Sequence, residues 1–287
     1  MPIRNEHVSV VVPAHNEETL IVRCLDDLAR LAADITVVAN GCADRTGERV
    51  RAWEQESGLP VRLIELPVPS KTAAIRAGLA AVRGRPVVIC DADIDMPPAS
   101  WQAIVDAVTT PAAVIAVPRV AIRTANSAAV VRRWATVWSL LPYVRGGVVG
   151  SGVLAVSAAG AERIADLPDV INDDGWIRRQ YPPARRMAVD AVFGIRAPLT
   201  GAALIRRRAR VLLGNRQLAA LLGPDPERTP AVGLPRLLRD REITVPDAVA
   251  YLWIAVAARL VAGYRVIRGR RREWAADRTT RQPAAAS

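Results

Sequence analysis

Lysine is almost missing from this chain. Lys71 is the only one, although arginine carries the net charge to +11. Histidine is confined to His7 and His15. That leaves neither a His-rich metal site nor the histidine base of a Ser-His-Asp triad. Aromatics are sparse, with a single Phe, yet half of the chain is hydrophobic. The core must then be built from Ala, Val, Ile and Leu, which suits parallel strands packed on helices. Cys24, Cys42 and Cys90 are scattered, odd in number and without a CxxC pair. This excludes a cysteine zinc site or disulfide framework and predicts a reducing, cytoplasmic setting. No GxGxxG follows the first apolar run, which disfavours a dinucleotide cofactor. The apolar run near the N-terminus is too short for a signal peptide.

What is present has a regular order. VSVVV at 8–12 predicts a buried strand ended by Pro13, and 18–33 shows the apolar spacing of a helix. Strands are expected at 35–39, 61–66 and 86–90, with helices through Val50 and Trp53 and over 71–83. A helix at 97–110, a strand at 113–118 and a strand-like 150–157 follow; 126–149 mixes helical pattern with Gly146-Gly147. Beyond Arg210 the chain is Leu- and Arg-rich and helical, 224–235 holds four prolines, and Pro246 opens a long apolar helix to 268. The last dozen residues read as disordered. The β-α alternation argues for a mostly parallel sheet with helices on both faces. Ligands of such sheets bind beyond the carboxyl ends of the strands. Polar clusters sit at those ends: His15-Asn16-Glu17, Asn40-Gly41 and Asp91-Ala92-Asp93.

Asp91 and Asp93 would project to one side of an extended segment. Two carboxylates so placed repel unless a cation lies between them. A divalent ion such as Mg2+ or Mn2+ takes one or two carboxylates plus phosphate oxygens, and neutralises a diphosphate leaving group. A solvated acidic turn is the plain alternative. Lys71 stands at a helix start, where a cation opposes the macrodipole. A nearby phosphate or carboxylate explains it; an exposed surface lysine is the alternative. Asp173-Asp174 precede Trp176 and Ile177 and could equally be a helix cap.

VSVVVPAHNEE, VVANGCADRTG, the Lys71 helix start and VVICDAD together resemble the nucleotide-binding half of family 2 glycosyltransferases with the GT-A fold, over roughly 7–215. The resemblance implies a Rossmann-like α/β fold: a mixed, mostly parallel sheet flanked by helices, with a helical C-terminal extension. It implies a glycosyltransferase domain at 1–215 (nucleotide half 1–96, acceptor half 97–215); beyond it the sequence pattern itself predicts a helical extension at 216–274 and a disordered tail at 275–287. It also implies roles. Pro13, Ala14, His15 and Glu17 lie along the nucleoside, with His15 where an aromatic is usual. Asn40 replaces the usual Asp, which leaves the base open. Asp44 matches a later acidic position, or caps a helix. Lys71 lies near the nucleotide. Asp93 holds the metal, with Asp91 and Ala92 beside metal or ribose. Gly152, within Gly150-Ser151-Gly152, passes close to the donor sugar. Asp173-Asp174 stand for the Glu-Asp motif, with Asp174 as general base and Asp173 its neighbour. Arg207, Arg210 and Val211 occupy the positions of a Gln-x-x-Arg-Trp motif; only Arg210 matches, which argues against a processive polysaccharide synthase and leaves Arg210 for the diphosphate.

The implied activity is inverting transfer from a nucleoside-diphosphate sugar to an acceptor hydroxyl, dependent on a divalent cation. A nucleotidyltransferase and a non-catalytic nucleotide-sugar binder are the rivals. PAHNEE is acidic where the first would have a Gly-rich basic loop. From Arg259 to Arg281 eight arginines face two acids. Two placements stay open for 246–272: peripheral contact with the anionic inner face of a membrane, or docking on the catalytic domain. Aromatics are too sparsely interleaved with the arginines for nucleic-acid stacking, so no nucleic-acid partner is expected. Trp134 and Trp138, at i and i+4, line an acceptor groove or pack in the core.

Overall fold

The computed structural model describes residues 8–30, 34–145, 152–225 and 234–268. Gly146-Gly147, Gly150-Ser151, His7, the end of the 246–272 stretch and the expected disordered tail lie outside the described residues.

The first half alternates as its apolar spacing predicts: β1 (Ser9–Ala14), α1 (Ile21–Ala29), β2 (Asp34–Asn40), α2 (Thr46–Ser57), β3 (Val61–Leu66), α3 (Lys71–Ala81), β4 (Val87–Cys90) and α4 (Pro98–Val108). The second half runs β5 (Ile115–Arg123), α5 (Ala129–Ser139), α6 (Pro142–Arg145), β6 (Val153–Val156), α7 (Ala158–Arg163), α8 (Asp173–Arg179), β7 (Arg186–Arg196), α9 (Gly201–Leu222), α10 (Leu234–Arg239) and α11 (Val245–Ile267). Several helices begin on a side chain that caps them. Ser70 accepts from the Ala73 N–H, Ser157 from Gly160, Asn172 from Gly175 and Thr200 from Ala203.

One seven-stranded sheet results, in the order β3-β2-β1-β4-β6-β5-β7. β1 to β4 are parallel; β6 is antiparallel to both β4 and β5, and β7 is parallel to β5. The sheet is therefore the mixed, mostly parallel one expected. Side chains alternate across it. Val10, Val12, Val88 and Cys90 join α1, α2 and α4 in one core. Val11, Val87 and Ile89 join α3, α7 and α8 in the other. Gly78 lets α3 lie flat on β1: a Cβ there would meet Val11 Cγ1 at 2.2 Å.

Several expectations are corrected. Pro13 does not end the first strand, which pairs with β2 through Ala14. Pairing with β4 stops at Val11, so Pro13 lies past the ladder on that side. Of the helix expected over 18–33, residues 31–33 lie outside the described residues; within 18–30 it is α1 alone, and 18–20 form a turn. β7 was not anticipated, because it is an edge strand with exposed Met187 and Val192 and a register shift opposite Pro118/Arg119. Its signal was the alternation of buried Ala191, Phe193 and Ile195. Trp134 and Trp138 are buried and stacked at 5.6 Å, in a third core formed by α5, α9 and α11. Of the two placements their spacing allows, core packing is the one adopted.

Candidate active site

The C-terminal ends of β1 and β2 are tied together first. The His15 ring nitrogen Nδ1 bonds the Asn40 carbonyl at 2.7 Å, and Asn16 Oδ1 accepts from the Ala43 N–H at 2.8 Å. Thr46 Oγ1 accepts from the Glu17 N–H, and Asp44 Oδ2 from Glu18. Asn16 adopts φ 55°, a left-handed conformation that asparagine tolerates better than most residues. Asn40 is buried and bridges two backbones: its amide donates to the Ala14 carbonyl at 2.7 Å and its Oδ1 accepts from Ser70 at 3.0 Å. A carboxylate could not make the first bond. The departure from the resemblance at this position thus has a structural cause. Asp44 spends its other oxygen on the Thr46 N–H at 3.0 Å, opening α2. Pro13, Ala14 and Glu17 are buried beneath this loop pair.

Beyond β4 the two aspartates part. The chain leaves the strand at Cys90 and turns at Ala92, so the extended geometry expected of this segment is not adopted. Buried Ala92 anchors the turn, half-buried Asp91 points into the protein, and Asp93 is exposed. Asp93 carries no hydrogen bond or ion pair among the described residues. The following Asp95 is structural: its backbone pairs with Gly194 and its carboxylate with Arg123.

Lys71 is the centre of the site. Its Nζ lies 2.9 Å from Asp91 Oδ1 and 3.1 Å from Asp173 Oδ2. Burial opposes its charge, but Asp173, Asp91 and Asp174 outweigh that and hold its pKa well above the usual lysine value. Carboxylates therefore explain a cation placed against the helix dipole. Asn172 takes the cap of α8, its Oδ1 accepting from Gly175 at 2.8 Å. This residue was missed in the sequence reading, although an Asn directly before two acids is the ordinary cap signal. Its presence frees Asp173 and Asp174 from capping, so both carboxylates reach the Lys71 cluster.

Arg210, on α9, feels the same acids. Burial lowers its pKa, while Asp173 and Asp91 oppose the shift. Three carboxylates thus face two cations. Burial, with Asp93 and Asp173 nearby, raises the pKa of Asp91 despite Lys71. Burial also raises Asp174, to about 7; Asp173 adds to the rise, while Lys71 and a bond from the Gly152 peptide moderate it. Gly152 sits between the halves at φ 105°, its carbonyl accepting from the Asp91 N–H at 2.7 Å. A Cβ on it would approach Asp91 Oδ2 to 2.9 Å. The fold therefore brings Lys71, Asp91, Gly152, Asp173, Asp174 and Arg210 together, with Asp93 exposed at the margin. His15, Asn40 and Asp44 form the neighbouring loop wall.

A polar site beyond the carboxyl ends of the strands is where open α/β sheets bind their ligands. The model of Glycosyl transferase family 2 matches residues 9–159, and the chain belongs to that family. Residues 9–159 thus form a domain of a glycosyltransferase family rather than of a nucleotidyltransferase one. Over 104 residues it is 29% identical to dodecaprenyl-phosphate galacturonate synthase of Rhizobium johnstonii, covering 34% of this chain and 31% of that protein. Over 105 residues it is 29% identical to dolichyl-phosphate beta-glucosyltransferase of Dictyostelium discoideum, covering 32% of each. The match thus spans about a third of the length of these relatives. Among solved structures, the mannosyltransferase PcManGT from Pyrobaculum calidifontis, in complex with GDP-Man and Mn2+, superposes with TM-score 0.57 at 23% identity over 91% of this chain and 75% of that one. Glucosyl-3-phosphoglycerate synthase from Mycobacterium tuberculosis, in complex with Mn2+, UDP and glucosyl-3-phosphoglycerate, gives 0.52 at 20% identity over 78% and 82%. These structures share the GT-A fold.

Proposed function

We propose that the protein transfers a sugar, with inversion, from a nucleoside-diphosphate sugar to an acceptor hydroxyl. The observation that carries this reading is Asp174. It is a carboxylate with a pKa of about 7, held beside Asp173 and Lys71 on the edge where Asp91 ends its strand. A base of that strength is matched to proton removal near neutral pH. The acceptor oxygen attacks the anomeric carbon from the face opposite the diphosphate. The new C–O bond forms as the bond to the diphosphate breaks, and the hydroxyl proton passes to Asp174. Asp173 holds Lys71 and, by its own charge, keeps Asp174 basic. Lys71 and Arg210 supply positive charge on the side where the diphosphate departs. The loop pair of His15 and Asn40 borders the nucleoside, and the absence of a carboxylate at position 40 leaves the base unselected by that side chain.

The residues present fit a divalent cation shared with the donor. Among the described residues no group of three His, Cys, Asp or Glu side chains could cage a metal by protein alone. The carboxylate of Asp93, without a hydrogen bond or ion pair among the described residues, and Asp91 two residues before it suit Mg2+ or Mn2+. When bound, such an ion would neutralise charge on the departing diphosphate. Asp93 would hold it; Asp91 is already engaged by Lys71.

The test is a panel of sugar nucleotides with Mg2+ or Mn2+, read as release of nucleoside diphosphate. Asp174→Asn is expected to lower turnover about 1,000-fold, within the range for removing a general base. Asp93→Asn is expected to lower turnover and to raise the Mg2+ or Mn2+ concentration needed for it. Full activity in both variants rejects the mechanism.

A further inference from the structure

α11 has two unlike faces. Ala250, Ile254, Ala258 and Ala262, at fourfold spacing, are buried against α5 and α9. On the opposite side Val249, Leu252, Trp253, Val256, Leu260 and Tyr264 are each more than half exposed. The docking on the catalytic domain is therefore real, yet it uses only one side. A soluble monomer seldom presents so long a continuous apolar stripe to water. The helix has 23 residues and a mean hydropathy of 1.6 over its most apolar stretch, enough by length and composition to cross a bilayer. Its small-residue face is nevertheless committed to α5 and α9, and Arg259 interrupts it. Only the stripe is free to meet a partner.

We infer that this stripe lies in the plane of an anionic membrane surface. Charge decides the occupant. At about 100° per residue, Arg259 and Arg268 fall at the two margins of the stripe. The Arg268 guanidinium lies over the Tyr264 ring at 5.4 Å. From Ala248 to Arg268 the sequence has no acid, and Asp247 is turned inward to Arg133. A second copy would bring the same arginines with no acid to answer them. An anionic bilayer answers both features: the stripe enters the headgroup–acyl boundary, and the arginines meet lipid phosphates. Trp253 and Tyr264 are the residue types that prefer this depth. The placement also orients the catalytic edge. Ala209 and Leu213 of α9 pack on Ala262, and Arg210 between them reaches the acidic cluster, so one helix separates the bilayer from the site.

The experiment is flotation of the full chain with phosphatidylcholine vesicles or with mixed phosphatidylcholine–phosphatidylglycerol vesicles, at low and high salt. The protein is expected to float with the mixed vesicles only, and to be released by salt. L252E/V256E/L260E changes exposed positions and is expected to abolish flotation while keeping the wild-type circular dichroism. R259E/R268E, which leaves the stripe intact, is expected to reduce partitioning at least about 25-fold, since each basic residue contributes about fivefold. Absence of flotation with mixed vesicles overturns the inference, as does undiminished flotation of both variants. A dimer detected by light scattering and lost in the triple variant, without vesicle binding, assigns the stripe to a second copy and also overturns it.

Discussion

Lys71 reaches Asp173 at 3.1 Å, joining the first turn of α3 to the first turn of α8. The same ammonium holds Asp91 at 2.9 Å. One cation thus ties the end of strand β4 to helix α8. Buried ion pairs of this kind contribute little net stability against an apolar substitute, but removing one partner leaves uncompensated charge.

Lys71→Met should accordingly destabilise the fold by about 3 kcal/mol, measured by urea denaturation. It should also raise the pKa of Asp174, because Lys71 holds it down. The rise of kcat/KM with pH then moves above its wild-type position. A variant with unchanged stability and an unchanged pH profile would mean that the pair has no energetic role.

Activity and stability should respond oppositely to pH. The free enzyme's kcat/KM is expected to rise as pH passes through about 7, where Asp174 loses its proton. The folded protein retains that proton between the ordinary carboxylate range and about 7, whereas the unfolded chain has released it. The folded state binds more protons in this window, so this group's contribution to stability falls as pH rises through it. Thermal melts of wild type and Asp174→Asn across that window separate the contribution of this group from the rest.

Gly152→Ala tests the close approach of the two halves. A side chain at φ 105° is strained by about 1–3 kcal/mol, and its Cβ would press on Asp91 Oδ2. Displacing Asp91 by about 1 Å should lower turnover about 100-fold. Steady-state kinetics in variants shown to be folded reads this directly.

Asn40→Asp restores the residue usual in the resemblance, yet it should weaken this protein. The carboxylate cannot donate to the Ala14 carbonyl, and the loss is about 1–3 kcal/mol. The deficit should grow as pH rises and the new carboxyl ionises. Equal stability of variant and wild type at both ends of a pH series would rule out the bridging role.

Asp247→Ala should cost about 1–2 kcal/mol and fray the start of α11. Asp247 Oδ2 accepts from the Thr244 N–H at 2.9 Å and from the Thr244 hydroxyl at 2.6 Å, and its other oxygen meets Arg133 at 3.3 Å. Burial works against the charge, but these partners outweigh it and lower the pKa. The wild-type advantage is therefore complete above the ordinary carboxylate range and disappears as pH falls through the lowered value. Denaturation at neutral and acidic pH measures the difference.

Much of this was legible in the chain because it depends on local pattern. The period of the apolar residues set β1 to β4 and the helices between them, since buried parallel strands must be continuously apolar. Pro246 marked the start of α11 for a backbone reason that acts within one turn. The lone lysine at a helix start and the acids after the fourth strand were visible as anomalies of charge. β7 escaped because half of its surface faces solvent and dilutes the alternation that Ala191, Phe193 and Ile195 carry. The cap role of Asn172 was overlooked beside two acids that also favour that position.

By itself the sequence determined the order of the elements, the edge on which polar residues gather, and the chemistry available there. Those follow from periodicity and residue type, which need no partner. Only the tertiary structure decided how the charges are shared. Lys71 meets Asp91 and Asp173 because separate segments converge on one sheet edge, and Asp174 is basic because burial beside Asp173 disfavours a second negative charge. Asp91 and Asp93 differ for the same reason: the chain turns between them, leaving one carboxylate inside and the other in water.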